Sequence, residues 1–491
     1  LRRLTPTRAA GLAAGLLLCV LIAALDTPLK HHPEWGARPA YAAAVAALMA
    51  AWWLTEAVPI YWTACVPLLG FPLLAVFGDG LGRNLRASLA PYFDPYIFLF
   101  AGGMAIAAAM QQWNLHRRIA LTIMRWIGTD PRRLLAGLLA ATAFVSLWIS
   151  NTATATMMFP IGMALITQLE AQSGRQRLAH YGMAAMLAIA YGANVGGIGT
   201  KIGTAPNAQF SGFMERLGTE VSFLEFMLVG LPFVVAFLPI VWLALWRVAR
   251  RDGLRGDLGR DVLARELEKL GPLQPAERIV LAVFLAAAAL WIGGKALTGL
   301  LQARFPAAGL GSAHVEAGVA VAAALVLLSW RSRGRAVLAP RSLRTVPWET
   351  LLLLGGGFAL AAGVQGSGLS AEMASALLGV RDLAFLAQVL LACLVTVAIS
   401  AVASNTATTA IMLVVLNQAV APAHSPTVLF ASTLAASCDF ALPAGTPPNA
   451  IVFGSGYVTI PRMARTGAVL DVAAALLAGF WCWLAVPRLL G

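Results

Sequence analysis

The sequence predicts an all-α polytopic membrane protein of two inverted repeats, with about eleven transmembrane helices and two re-entrant hairpins. Three observations carry that reading. Of 491 residues, 59% are hydrophobic and only 12% charged, whereas a soluble domain carries about 25% charged residues to cover its surface. Apolar runs close to the roughly 20 residues that span a bilayer core recur from end to end. Three motifs occur twice, in the same order.

The predicted spans are about 9–27, 40–59, 60–78, 95–115, 180–197, 225–246, 279–297, 313–330, 348–370, 427–441 and 464–487. Arg2, Arg3 and Arg8 precede the first as they would a signal peptide, but Asp26-Thr27-Pro28 follows it instead of a small-residue cleavage site. It reads as a first membrane helix. Two further stretches, 134–168 and 384–421, are too long for one span and carry Ser-Asn-Thr at their centres. A re-entrant hairpin explains both features, because non-helical backbone at that depth needs protein or a watery cavity around it.

The net charge of +13 sits in short loops between apolar runs, which argues for membrane orientation and against nucleic acid. With a cytoplasmic N-terminus, Arg117, Arg118, Arg132, Arg133, Arg175 and Arg177 share one side with most of 247–278. Lys30, Arg38, Arg83, Arg86, Arg304 and Arg381 fall on the other. The first hairpin then opens to the cytoplasm and the second to the opposite side, so the repeats are inverted. Residues 249–278 form the only long hydrophilic stretch. Leu258, Val262, Leu263, Leu267 and Leu270 lie near helical spacing there, predicting a cytoplasmic amphipathic interfacial linker. It divides a first repeat, 1–248, from a second, 279–491. The five cysteines show no pairing or metal-ligand spacing.

The duplication is legible residue by residue. Gly102, Gly103, Ala105 and Gln111 match Gly356, Gly357, Ala359 and Gln365 at an offset of 254. The same offset carries Ser146 onto Ser400 and Ser150-Asn-Thr-Ala-Thr154 onto Ser404-Asn-Thr-Ala-Thr408. Gly203-Thr-Ala-Pro-Asn207 matches Gly445-Thr-Pro-Pro-Asn449 at an offset of 242. Inverted repeats are a common design of secondary transporters, with the site near the bilayer midplane.

Each Ser-Asn-Thr supplies hydroxyl and amide donors suited to the oxygens of an anion. The same motif supplies carbonyl and hydroxyl oxygens suited to a desolvated Na+. Plain helix–helix hydrogen bonding would also use such residues, but a symmetry-matched pair at two hairpin centres argues for a site. Each Gly-Thr-x-Pro-Asn marks a helix broken in mid-membrane, over Gly196–Asn207 and Pro443–Asn449, within segments 180–207 and 427–455.

Together with Trp53-Leu-Thr-Glu-Ala-Val-Pro59 and Leu442-Pro-Ala-Gly-Thr-Pro-Pro-Asn449, these motifs resemble the divalent anion/sodium symporter family over nearly the whole chain. The resemblance implies secondary transport of dicarboxylates, citrate or sulfate, a homodimer, an elevator mechanism and a plasma-membrane location. It implies substrate contacts at Ser150, Asn151, Thr152, Ser404, Asn405, Thr406 and Thr446, with Thr204 as a further candidate. It implies Na+ ligands at Ser146, Ser150, Asn151 and Gly199, and at Ser400, Ala403, Asn405 and Gly445.

Two residues depart from the apolar pattern expected. Lys201 stands beside the first proposed sodium site, where its ammonium would replace a sodium ion or its stem would snorkel away. Asp439 stands ahead of the second Gly-Thr-x-Pro-Asn, as a charge partner or a helix cap. Asp471 and Lys295 are expected to be solvated near span ends. The reading is a carrier of small dianions, C4-dicarboxylates first, coupled to Na+. Sulfate or tricarboxylate carriage and Na+-independent exchange are the alternatives. A membrane-embedded hydrolase with Ser150 or Ser404 as nucleophile lacks a base in either motif, a channel does not need duplicated hairpins, and an ATP-driven pump would need a phosphate-binding loop.

Overall fold

The computed structural model describes residues 6–173, 178–254, 256 and 259–490. Arg2, Arg3, Arg175, Arg177 and Leu258, which entered the charge and periodicity arguments, lie outside them. Among the described residues, seven helices are long and apolar enough to cross a membrane, including Phe223–Asp252, Pro275–Ile292, Ser312–Ser329 and Ile460–Leu489. Arg38–Thr55 and Ala179–Gly197 are helical over two more expected spans.

Helix starts follow local chemistry. Asp94-Pro95 and Asp130-Pro131 each put proline in the first turn, where its missing N–H costs nothing. The aspartates accept hydrogen bonds from Tyr96 N at 3.0 Å and from Arg132 N and Arg133 N at 3.1 Å. The expected span 60–78 is instead two short helices, Ile60–Ala64 and Val66–Leu73, ending where Pro72 is followed by Ala75 at φ 52°. A two-residue strand pair, Arg331–Ser332 with Arg335–Ala336, is the only sheet among the described residues. Its turn uses positive φ at Arg333 and Gly334, as a tight hairpin turn requires.

The linker departs from its expected setting. Arg260–Leu270 is helical, but Val262 and Leu263 are buried against protein rather than presented to lipid. Glu266 pairs with Arg117, and Glu277 with Arg118 at 3.1 Å, which ties the linker to the Leu115–Ile127 helix.

The two interrupted stretches are helix pairs. The first is Pro131–Ser146 with Asn151–Ser173, the second Phe385–Ser400 with Asn405–Ala419. In each, four residues ending in serine connect the arms, 147–150 and 401–404. Beside them lie two broken helices: Ala179–Gly197 resumes at Ala205–Arg216, and Ser425–Ala436 resumes at Pro447–Phe453. The second break therefore opens at Ser437, earlier than the expected Pro443. Asp471 Oδ1 accepts from Phe440 N at 2.8 Å and holds the chain out of the helix there. Pro443 then disfavours helical geometry in the residue before it.

Candidate functional site

The two hairpin tips repeat one set of contacts. Ser146 Oγ lies 2.9 Å from Asn151 Oδ1 and 2.7 Å from the Ala193 carbonyl. Ser400 Oγ lies 2.9 Å from Asn405 Oδ1 and 2.7 Å from the Ala436 carbonyl. Each hydroxyl has one proton for two oxygens, so each cluster is oxygen-rich. Both serines are fully buried. Asn151 begins one helix and Asn405 another, and the first N–H groups of a helix have no partner within it. Ser150, Asn151, Ser404, Asn405 and Thr406 are half-buried, and Thr152 is exposed. Ser404 caps its helix without a side-chain hydrogen bond, which leaves its hydroxyl free.

The broken segments repeat a second set. Asn207 Nδ2 donates to the carbonyls of Gly197 at 2.9 Å and Thr200 at 2.6 Å. Asn449 Nδ2 donates to those of Asp439 at 3.1 Å and Leu442 at 2.9 Å. The asparagine of each Gly-Thr-x-Pro-Asn thus holds the carbonyls that the break releases, which answers their cost in an apolar interior. Thr204 and Thr446 cap the resumed helices. Thr204 makes no cap bond, whereas Thr446 Oγ1 accepts from Asn449 N at 3.3 Å and Asn194 Nδ2 at 3.1 Å.

Glycine allows a close approach where the sets meet. A Cβ on Gly197 would lie 2.1 Å from Asn151 Oδ1, and one on Gly445 would lie 1.8 Å from Asp439 Oδ2. Gly199 and Ala403 are buried.

The charged residues fall differently from expectation. Lys201 neither snorkels nor pairs with Asp439: it is fully buried, and its Nζ donates to Glu316 Oε2 at 2.8 Å. Asp471 is buried too, with 5% exposure, midway along Ile460–Leu489. The spacing of apolar residues hid it, because one carboxylate barely alters a 30-residue run. Lys295 is exposed as expected and reaches Glu225. Asn194, which the motifs did not single out, bridges the two broken helices by donating to the Asp439 carbonyl at 3.1 Å and to Thr446. Glu316 was equally unannounced, and an acid inside the apolar run 313–330 was its only signal. Among the described residues no group of histidine, cysteine or acid side chains is arranged for a metal.

Residues 11–487 match the model of the sodium:sulfate symporter transmembrane region. Sodium-dependent dicarboxylate transporters SdcS from Staphylococcus aureus strains USA300 and NCTC 8325 / PS 47 are each 33% identical over 490 residues. The same holds for strain MSSA476. In each case the alignment covers 98% of this chain and 92% of the relative.

Proposed function

The chain belongs to the sodium:sulfate symporter family, the divalent anion/sodium symporters, and on that premise we propose that it carries C4-dicarboxylates across the plasma membrane with Na+. The family is one of transporters, not enzymes. The duplicated hairpin tip, with Ser146–Asn151 and Ser400–Asn405 in the same geometry, is the observation that carries the proposal.

Each tip faces one carboxylate of the substrate. Free N–H groups at the starts of Asn151–Ser173 and Asn405–Ala419 favour anionic oxygens. The Asn151 and Asn405 amides and the hydroxyls of Ser150, Thr152, Ser404 and Thr406 complete the donor set. Thr446 accepts two hydrogen bonds and keeps its own proton to donate; Thr204 has a free hydroxyl on the first half. No cationic side chain is in the set, so the anion also leaves readily.

Sodium supplies the positive charge that these neutral donors lack. Ser146, Ser150, Asn151 and Gly199 would hold one ion, and Ser400, Ala403, Asn405 and Gly445 the other. The fit rests on the chemistry of the donor set: Ser146 Oγ and Ser400 Oγ each have one proton for two neighbouring oxygens, so each tip is rich in the oxygens that a hard cation requires. The inverted repeats, a cytoplasmic N-terminus, a homodimer and elevator-type alternating access complete the proposal.

The experiment is uptake of labelled anions by proteoliposomes with and without an inward Na+ gradient. Gradient-driven accumulation of succinate, malate or fumarate supports the proposal. Preference for sulfate or citrate changes the substrate, and counterflow indifferent to Na+ makes the protein an exchanger.

A further inference from the structure

Asp439 is fully buried, and neither carboxylate oxygen has a hydrogen-bond partner. An ionised carboxylate in that state is costly unless a proton or a metal cation compensates it. Asp471 supplies no compensation: it is a second buried acid, engaged by Phe440 N. Asn194 and Asn449 donate to the Asp439 backbone carbonyl and leave the side chain alone.

Its place in the fold is known. Asn207 holds the carbonyls of Gly197 and Thr200 as Asn449 holds those of Asp439 and Leu442, so Asp439 is the sequence counterpart of Gly197 in the second broken segment. The carboxylate lies against Gly445, one of the residues assigned above to the second cation, where a Cβ would be 1.8 Å from Oδ2.

We propose that the Asp439 carboxylate is a direct ligand of a Na+-sized cation in the second half, which makes the two cation sites chemically unequal. The first half has only neutral oxygens at the corresponding place, where Gly197 stands. The second adds a full negative charge. It therefore binds its cation more tightly, and binds it before the dianion, which an uncompensated carboxylate would repel. This rests on the Na+-coupled reading above.

The test measures Na+ binding without substrate or transport. The full-length protein is unfolded thermally in detergent while NaCl replaces choline chloride at constant ionic strength, since a ligand of the folded state raises its stability. Asp439→Asn should need about tenfold or more Na+ for the wild-type shift. In choline it should be at least as stable as wild type. A wild-type midpoint in Asp439→Asn overturns the proposal and leaves the Na+-coupled reading standing; a wild type that ignores Na+ overturns both. Wild-type protein provides the second measurement, through dicyclohexylcarbodiimide labelling of Asp439 located by mass spectrometry. Protection by NaCl over choline chloride supports the proposal, and equal labelling overturns it.

Discussion

Lys201 Nζ sits 2.8 Å from Glu316 Oε2, and both side chains are fully buried. Glu316 Oε1 also accepts from Phe223 N at 2.7 Å, and the ammonium lies 5.1 Å from the Tyr96 ring centroid. This pair ties the first broken segment to the Ser312–Ser329 helix. If the broken segments move with the hairpins past that helix, the pair has to part in every cycle.

Breaking one side of a buried pair leaves the other charge uncompensated. Lys201→Met or Glu316→Gln should each cost about 3–5 kcal/mol, while Lys201→Met combined with Glu316→Leu should be close to neutral. Unfolding in detergent checks the order. A double variant as unstable as the singles would mean that packing, not charge, is what the singles lose.

The same pair makes a statement about coupling. Because Glu316 already neutralises Lys201, the double variant should keep the wild-type dependence of substrate affinity on Na+. A shifted curve would return Lys201 to the cation site, as the tethered charge that the sequence also allowed.

Gly197 lies against the first tip. Gly197→Ala would put a methyl 2.1 Å from Asn151 Oδ1, displacing the amide. Uptake should fall to background while the protein stays folded. Gly299→Ala is the control: it is a helical glycine with nothing within 4 Å, so alanine there should be neutral or slightly stabilising. Normal uptake by Gly197→Ala would separate Asn151 from transport.

Inverted topology predicts opposite access to the two hairpin mouths. Arg133→Cys and Ala423→Cys, in a background without the five native cysteines, should react with an impermeant thiol reagent from opposite sides. Reaction from one side would remove the inversion, although not the duplicated contacts.

Much of this architecture was legible because lipid imposes simple rules. Length and hydropathy mark the spans, and a polar motif inside an overlong apolar run marks a hairpin. The paired Ser-Asn-Thr and Gly-Thr-x-Pro-Asn motifs located both tips and the first break, and the resumption of the helix after the second. What stayed hidden depends on side chains meeting across the fold. Glu316 is 115 residues from Lys201, and no local pattern joins them. Asp471 passed for a solvated residue because its partner, Phe440 N, exists only once the second helix breaks. The linker's apolar face predicted an interfacial helix, whereas Val262 and Leu263 pack against protein and Arg117 and Arg118 hold the segment there.

The claim that the two Ser-Asn-Thr tips form the substrate site is tested most directly by Asn151→Ala and Asn405→Ala. If each asparagine serves the anion and the cation together, each variant should lose Na+-dependent binding of labelled succinate and its uptake into proteoliposomes, while remaining folded in detergent. Near-wild-type binding and uptake by both variants would contradict the account and place the site elsewhere.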